Sequence, residues 1–237
     1  DAKRFVFASE LKALLTDPDI PKDIDPEALD LYLSLNYIPA PWTIFRNIRK
    51  LRPGHLLTVH EGTVTESRYW DIAMPSDISC KPAPGDFKQT SAGLFNALDD
   101  AVKSQMVADV PLGAFLSGGI DSSVVVGLMA RHASKPVKTY TIGYTDMPMF
   151  DETAYARQVA AFHKTEHHEI MLDSRAMLGS VPDVLASLDE PFGDSSAVPT
   201  YVVSRETARD VSVALSGDGG DELFAGKLLG KIALQNF

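Results

Sequence analysis

The sequence predicts a doubly wound α/β fold over residues 86–237, a parallel sheet with helices on both faces. Three observations carry this. Short apolar runs at 113–116, 139–142, 169–172 and 211–215 read as buried strands. Helical patterns alternate with them at 87–107, 122–132, 152–163, 175–188 and 195–208. Glycine-rich turns follow the first and the last of these strands. Alternation of this kind pairs strands in parallel, because a parallel neighbour needs a crossover that a helix supplies.

The elements before this region read differently. Phe5-Val6-Phe7-Ala8 reads as a short strand feeding a helix over 10–15. Asp25-Pro26-Glu27 is a helix start, with Asp as N-cap and Pro in the first turn, and Leu29, Tyr32, Leu33 and Tyr37 follow at helical spacing. The runs 55–60 and 63–70 flank Glu61-Gly62 and read as a hairpin. Residues 1–73 therefore read as the closing strands and helices of a larger α+β domain. Residues 74–85 hold Pro75, Pro82, Pro84 and Gly85 without helical or strand period, and read as a linker. In the second part, Val124, Val125, Leu128 and Met129 are expected to form the buried face of the helix at 122–132.

Composition bounds the function. The chain has 237 residues, 45% hydrophobic and 23% charged, an ordinary globular balance that excludes wholesale disorder. No apolar run approaches the ~20 residues of a membrane span, so no membrane partner is expected. The one cysteine, Cys80, cannot make an internal disulfide or a thiolate metal cage, and reads as an ordinary free thiol. A soluble, reducing compartment, the cytoplasm, is the expected location. Net charge is −10, of which residues 1–70 carry −1 (9 basic, 10 acidic) and residues 71–237 carry −9 (13 basic, 22 acidic). That acidic part is a poor match for a nucleic-acid backbone. A nucleotide arriving with magnesium remains compatible, since the ion offsets phosphate charge.

The chemistry concentrates in the two glycine-rich turns. Leu116-Ser117-Gly118-Gly119-Ile120-Asp121-Ser122-Ser123 joins a buried strand to a helix. Glycines let such a turn expose its N–H groups, the helix N-terminus favours an anion, and serine hydroxyls add donors. The turn suits phosphate oxygens at the carboxyl edge of the sheet. Neither a Walker loop nor a dinucleotide fingerprint occurs. The second turn, Leu215-Ser216-Gly217-Asp218-Gly219-Gly220-Asp221-Glu222, clusters three acidic side chains. A cation or a helix dipole must offset them, and magnesium takes one or two carboxylates plus substrate phosphates. Asp121 and Asp221 are the pair expected to share that ion.

Ser117-Gly118-Gly119-Ile120-Asp121-Ser122 resembles the pyrophosphatase loop of the N-type ATP pyrophosphatases. Ser216-Gly217-Asp218-Gly219-Gly220-Asp221-Glu222-Leu223-Phe224 and Asp189-Glu190-Pro191-Phe192 extend the resemblance to the glutamine-hydrolysing asparagine synthetase family. So do the stretch Phe7 to Leu14, Leu51-Arg52-Pro53-Gly54-His55 and Tyr69-Trp70. The resemblance implies that residues 1–73 close an Ntn-type glutaminase domain, and that 86–237 are an ATP-pyrophosphatase synthetase domain. It further implies adenylation of a carboxylate by ATP, usually aspartate, followed by attack of glutamine-derived ammonia to give an amide, AMP and pyrophosphate. Ser117, Gly118, Gly119, Asp121 and Ser122 would hold the pyrophosphate. Leu116, Ile142 and Gly143 would line the adenine and ribose pocket, with Ser216 and Gly217 also touching the nucleotide. Asp121 and Asp221 would bind Mg2+, and Asp218 would act in forming or using the acyl-adenylate. A related ligase with another acceptor, β-lactam synthetase-like closure included, fits the same motifs, as does an ATP-binding remnant without turnover. A homodimer is one candidate assembly.

The departures from the family pattern matter too. Its glutaminases use an N-terminal cysteine, whereas this chain begins at Asp1. After Phe224-Ala225-Gly226 the family's usual tyrosine is replaced by Lys227, which is no secure substitute for the family's late catalytic lysine. A chain truncated at both ends is expected. Outside the turns, His163, His167 and His168 with Glu166 and Glu169 read as a helix-to-strand connection, because adjacent histidines on a strand face opposite ways. Asp146 and Asp151 follow a turn read at Ile142-Gly143-Tyr144 and are expected in a solvated loop. Asp189, Glu190 and Asp194 are either helix caps or part of the acceptor site.

Overall fold

The computed structural model describes residues 4–72 and 86–224. The linker at 74–85, Cys80 and Lys227 lie outside the described residues. The chain divides into two compact units, one of Asp1–Lys81 with Pro182–Ser196, the other of Pro82–Val181 with Ala197–Phe237.

In the first unit, α1 (Leu11–Leu14) is a single turn and α2 (Pro26–Leu35) is the main helix. The Asp25 side chain accepts from the Glu27 N–H, the expected cap, and Asn36 ends the helix in the left-handed region at φ 64°. The buried stripe of α2 differs from expectation: Ala28 is fully buried and packs with Ile38 and Ile44, while Leu33 is 71% exposed. Tyr37 lies beyond the helix. Residues 4–8 form no strand, since among the described residues none pairs with them, and the Phe5 and Phe7 rings stack on each other. β1 (His55–His60) and β2 (Thr63–Arg68) form the expected antiparallel hairpin. Both turn residues, Glu61 and Gly62, take positive φ, the geometry that matches the twist of two strands joined by a two-residue loop.

The second unit is built on a four-stranded sheet of β3 (Leu112–Phe115), β4 (Lys138–Tyr144), β5 (Glu166–Leu172) and β6 (Val213–Leu215). Their order is β5-β4-β3-β6, and every pair is parallel. The helices are α3 (Phe87–Gln105), α4 (Ile120–His132), α5 (Thr153–His163), α6 (Ser174–Ser187), α7 (Ala197–Thr207) and the short α8 (Gly220–Phe224). One layer packs Val102 of α3, Val126 and Met129 of α4, and Ala156 and Ala160 of α5 against Ala114 and Leu116. On the opposite face Val203 of α7 and Val211 pack with Tyr140, Phe115, Ile142 and Ile170. The split follows the two-residue period of strands, Ala114 and Leu116 facing one way and Phe115 the other. This is the doubly wound α/β fold.

Three local readings change. On α4 the buried residues are Ser122, Val126, Leu128 and Met129, and Val124 is 41% exposed, so the buried face is rotated from the one expected. β5 begins at Glu166 and takes in His167 and His168, while β6 is shorter than 211–215. Ile142-Gly143-Tyr144 is the end of β4, not a turn. A Cβ on Gly143 would lie 2.6 Å from both Met171 Sδ and Thr153 Cγ2, so glycine serves close packing here.

Candidate functional site

β3 leads through α4 to β4, and β4 through α5 to β5. The chain then returns by α6 and α7 to β6, on the other side of β3. Strand order therefore reverses between β3 and β6. Doubly wound sheets bind ligands at such a switch point, outside the carboxyl ends of the strands. Both glycine-rich turns lie there.

The first turn begins at Leu116, which is buried and donates its N–H to the Tyr140 carbonyl at 2.8 Å. Gly118 takes φ +80°, and a Cβ on it would lie 2.5 Å from Tyr155 Cβ and 2.6 Å from the Ala156 nitrogen. The turn thus rests directly on the backbone of the first turn of α5, which only glycine permits. Hydroxyls hold its shape. Ser122 Oγ accepts from the Ser117 N–H at 3.3 Å, lies 3.0 Å from Ser117 Oγ, and donates to the Gly119 carbonyl at 3.3 Å. Ser123 Oγ donates to the same carbonyl at 2.6 Å, and the Gly119 N–H donates to Ser117 Oγ. Ser122 is buried, whereas Ser117 is exposed. All three hydroxyls are hydrogen-bonded within the turn, and Ser117 is the exposed one of the three.

The second turn meets the first through two glycines. A Cβ on Gly217 would lie 2.6 Å from the Ser122 nitrogen, and one on Gly220 2.6 Å from Asp121 Cγ. Their lack of a side chain lets the half-buried Asp121 carboxylate lie against the start of α8. Ser216 Oγ donates to Asp218 Oδ2 at 2.9 Å and accepts from the Asp218 N–H, while Gly219 takes φ +90°. Asp218 and Asp221 are exposed. The register pairs Phe115 with Tyr140, so Ile142 and Gly143 stand level with the first turn at the carboxyl edge. Ile142 is half-buried against Tyr140 and Val203. The structure therefore gathers Leu116, Ser117, Gly118, Gly119, Asp121 and Ser122 with Ser216, Gly217, Asp218 and Asp221, and sets Ile142 and Gly143 on the adjoining strand. Exposed donors, exposed carboxylates and glycine backbone converge where an anionic ligand with a hard cation would fit.

The other flagged groups lie elsewhere. His167 Nδ1 is 2.9 Å from Thr139 Oγ1, and the His168 ring stacks on Tyr140, so the adjacent histidines do take opposite faces. Burial pushes the His167 imidazole below its ordinary pKa. Among the described residues no group of three or more His, Cys, Asp or Glu side chains converges as a metal cage. Asp146 accepts from the Ser174 N–H at the start of α6; the side-chain and then the backbone hydrogen bond of Ser174 hold its carboxyl below the usual range, and Asp151 accepts from Thr153 at the start of α5. Both lie in loops, as expected, Asp146 exposed and Asp151 half-buried, and each also accepts from the backbone at a helix start. Asp194 accepts from Ser196. Asp189 accepts from the Leu11 N–H at 2.7 Å, and Glu190 accepts from the Ile44 N–H and pairs with Lys50, all within the first unit. Sequence reasoning missed that role, and it also missed Tyr155 and Ala156 as the floor under Gly118.

Fold and site together define a class: a doubly wound α/β protein in which two glycine-rich loops meet at the switch point of the sheet. The family follows from comparison with known proteins. The asparagine synthase family model matches residues 93–236, and the glutamine amidotransferase domain model matches residues 1–70. The chain belongs to the asparagine synthase family. It is 38% identical over 231 residues to a putative glutamine-hydrolyzing asparagine synthetase 2 of Methanocaldococcus jannaschii, covering 95% of this chain and 43% of that protein. It is 34% identical over 222 residues to the glutamine-hydrolyzing asparagine synthetase 1 of Bacillus subtilis, covering 93% and 34%. The chain thus spans less than half the length of these relatives. Among solved structures, an NH3-dependent NAD synthetase from Campylobacter jejuni aligns with a TM-score of 0.39 at 15% identity, over 60% of this chain and 61% of that one.

Proposed function

We propose that this chain is part of a glutamine-dependent amide ligase of the asparagine synthetase type. In this reading residues 1–73 belong to a glutaminase domain, 74–85 link it to the next, and 86–237 belong to an ATP-pyrophosphatase domain. The observation that carries the reading is the meeting of the two glycine-rich turns at the switch point, with Asp121 against Gly220.

ATP sits with its adenine and ribose along Leu116, Ile142 and Gly143, touched by Ser216 and Gly217. Its β- and γ-phosphates lie in the turn of Ser117, Gly118, Gly119, Asp121 and Ser122. The donor set suits Mg2+, because Asp121 and Asp221 offer hard carboxylate oxygens and the phosphates supply the rest. When bound, that ion neutralises charge on the departing pyrophosphate. A carboxylate oxygen of the acceptor, aspartate in this reading, attacks the α-phosphorus, and the bond from that phosphorus to the bridging oxygen breaks. Pyrophosphate leaves and an acyl-adenylate forms. The turn's N–H groups and the Ser117 hydroxyl stabilise the developing phosphate charge, since they are oriented before the reaction. Ammonia from glutamine then adds its lone pair to the acyl carbon. AMP departs, a proton is lost, and the amide remains. Asp218, held by Ser216 beside the crevice, is the residue placed to act on the acyl-adenylate.

The test is the phosphorus balance of the whole protein supplied with ATP, glutamine and aspartate, followed by 31P NMR. Equal AMP and pyrophosphate, with asparagine, is the expected outcome. ADP and inorganic phosphate would overturn adenylation.

A further inference from the structure

The first glycine turn is packed against α5 at Gly118. It rests on Tyr155 and Ala156, so its position depends on where the first turn of α5 is held. The N-cap residue of α5, Glu152, makes no side-chain capping bond. A different set of side chains fixes that turn. Asp151 accepts from both the N–H and the hydroxyl of Thr153, each at 3.1 Å. Thr153 is 1% exposed, and its methyl lies over Gly143 of β4. Thr153 Oγ1 also accepts from Arg157 Nη2 at 3.2 Å, and Arg157 grips the Glu169 carboxylate on β5 through Nε at 2.5 Å and Nη2 at 3.0 Å. A two-point guanidinium–carboxylate grip fixes angle as well as distance. The side chains of Asp151, Thr153, Arg157 and Glu169 therefore tie the first turn of α5 to β5.

We propose that Arg157 is a positioning residue for the nucleotide phosphates, acting through Thr153 and the backbone of α5 on Gly118. This rests on the reading of the turn as an ATP site given above. Arg157 itself touches no substrate. The Arg157 side chain is 58% exposed and that of Glu169 25%, so the pair lies at the surface edge of the sheet rather than in the core, and retention of the fold is checked for each variant by circular dichroism. Without Arg157 the floor under the turn loses its fixed height. Small displacements of positioned groups carry large penalties. Phosphate binding suffers, while the adenine and ribose contacts are kept, because Leu116 is anchored to β4 through Tyr140 and Ile142 and Gly143 are held by the β4–β5 ladder rather than by Thr153.

The experiment compares ATP with adenosine, which lacks phosphates, as ligands of the full 237-residue chain. Dissociation constants are measured with magnesium for the unmodified chain and for Arg157→Ala, Arg157→Lys and Glu169→Gln. The expected result is a loss of about 10-fold or more in ATP affinity for Arg157→Ala. Adenosine affinity stays unchanged, Glu169→Gln shows a smaller loss, and Arg157→Lys recovers part of it. A purely structural role would leave the ATP-to-adenosine ratio unmoved, and that result overturns the proposal. Should Arg157→Ala fail to fold, Glu169→Gln and Arg157→Lys decide by the same ratio. An unmodified chain that binds adenosine but not ATP would overturn the ATP-site reading, and this proposal with it.

Discussion

Gly118 shows how a single residue fixes the site. Its φ of +80° strains any L side chain, and the α5 backbone leaves no room for a Cβ. Gly118→Ala should cost on the order of 1–3 kcal/mol, read as a lower urea midpoint, because strain and overlap add. At Gly119 a Cβ would meet only Ser117 Oγ at 3.3 Å, so Gly119→Ala should cost markedly less in the same titration. His167 gives the pH prediction. Burial lowers its folded pKa below the ordinary 6.5, with Glu169 opposing, and His168 and Arg157 adding to the depression. Between those two values the unfolded state holds more protons, so stability rises with pH. Stability should fall as pH drops below about 6.5 and level off below the folded pKa. A His167→Phe variant should show a flatter profile in urea titrations over that window. The glycine and serine pattern of the first turn was legible because its chemistry is local. The partners of Asp189 were not, since Leu11 lies 178 positions away in sequence.

At the scale of elements, the sequence was most readable where a local signal is unambiguous. Asp25-Pro26 set the start of α2, and Glu61-Gly62 set the hairpin, because capping and turn chemistry need only neighbouring residues. The face of α4 was not fixed this way. Val124, Val125 and Val126 are consecutive, so a helical period cannot choose among them, and packing against β3 decides for Val126. Met129 is 1% exposed, and Met129→Ala should cost about 2–5 kcal/mol. Val124→Ala should stay within about 0.5 kcal/mol, since that side chain is 41% exposed. Equal losses in chemical denaturation would contradict the observed face. The strand expected at 5–8 fails for a related reason. A short apolar run describes a segment that fits a sheet, but the ladder needs a partner.

For the molecule as a whole, alternation of strand and helix was enough to give the parallel sheet, and the two turns were enough to mark its carboxyl edge. Sheet order was not legible, because nothing local says that β6 returns beside β3 rather than beyond β5. That return creates the switch point and brings Gly217 and Gly220 onto Asp121. The separation of Pro182–Ser196 into the first unit was equally hidden. It rests on the Asp189 and Glu190 carboxylates meeting backbone N–H groups of Leu11 and Ile44. Under the proposed function the two turns form one magnesium-dependent ATP site. Calorimetric titration of the chain with ATP, with and without magnesium and beside Asp121→Ala, tests it most directly. The account predicts binding that requires magnesium and is lost in the variant while the fold is retained. Magnesium-independent binding, or equal binding by Asp121→Ala, would contradict it.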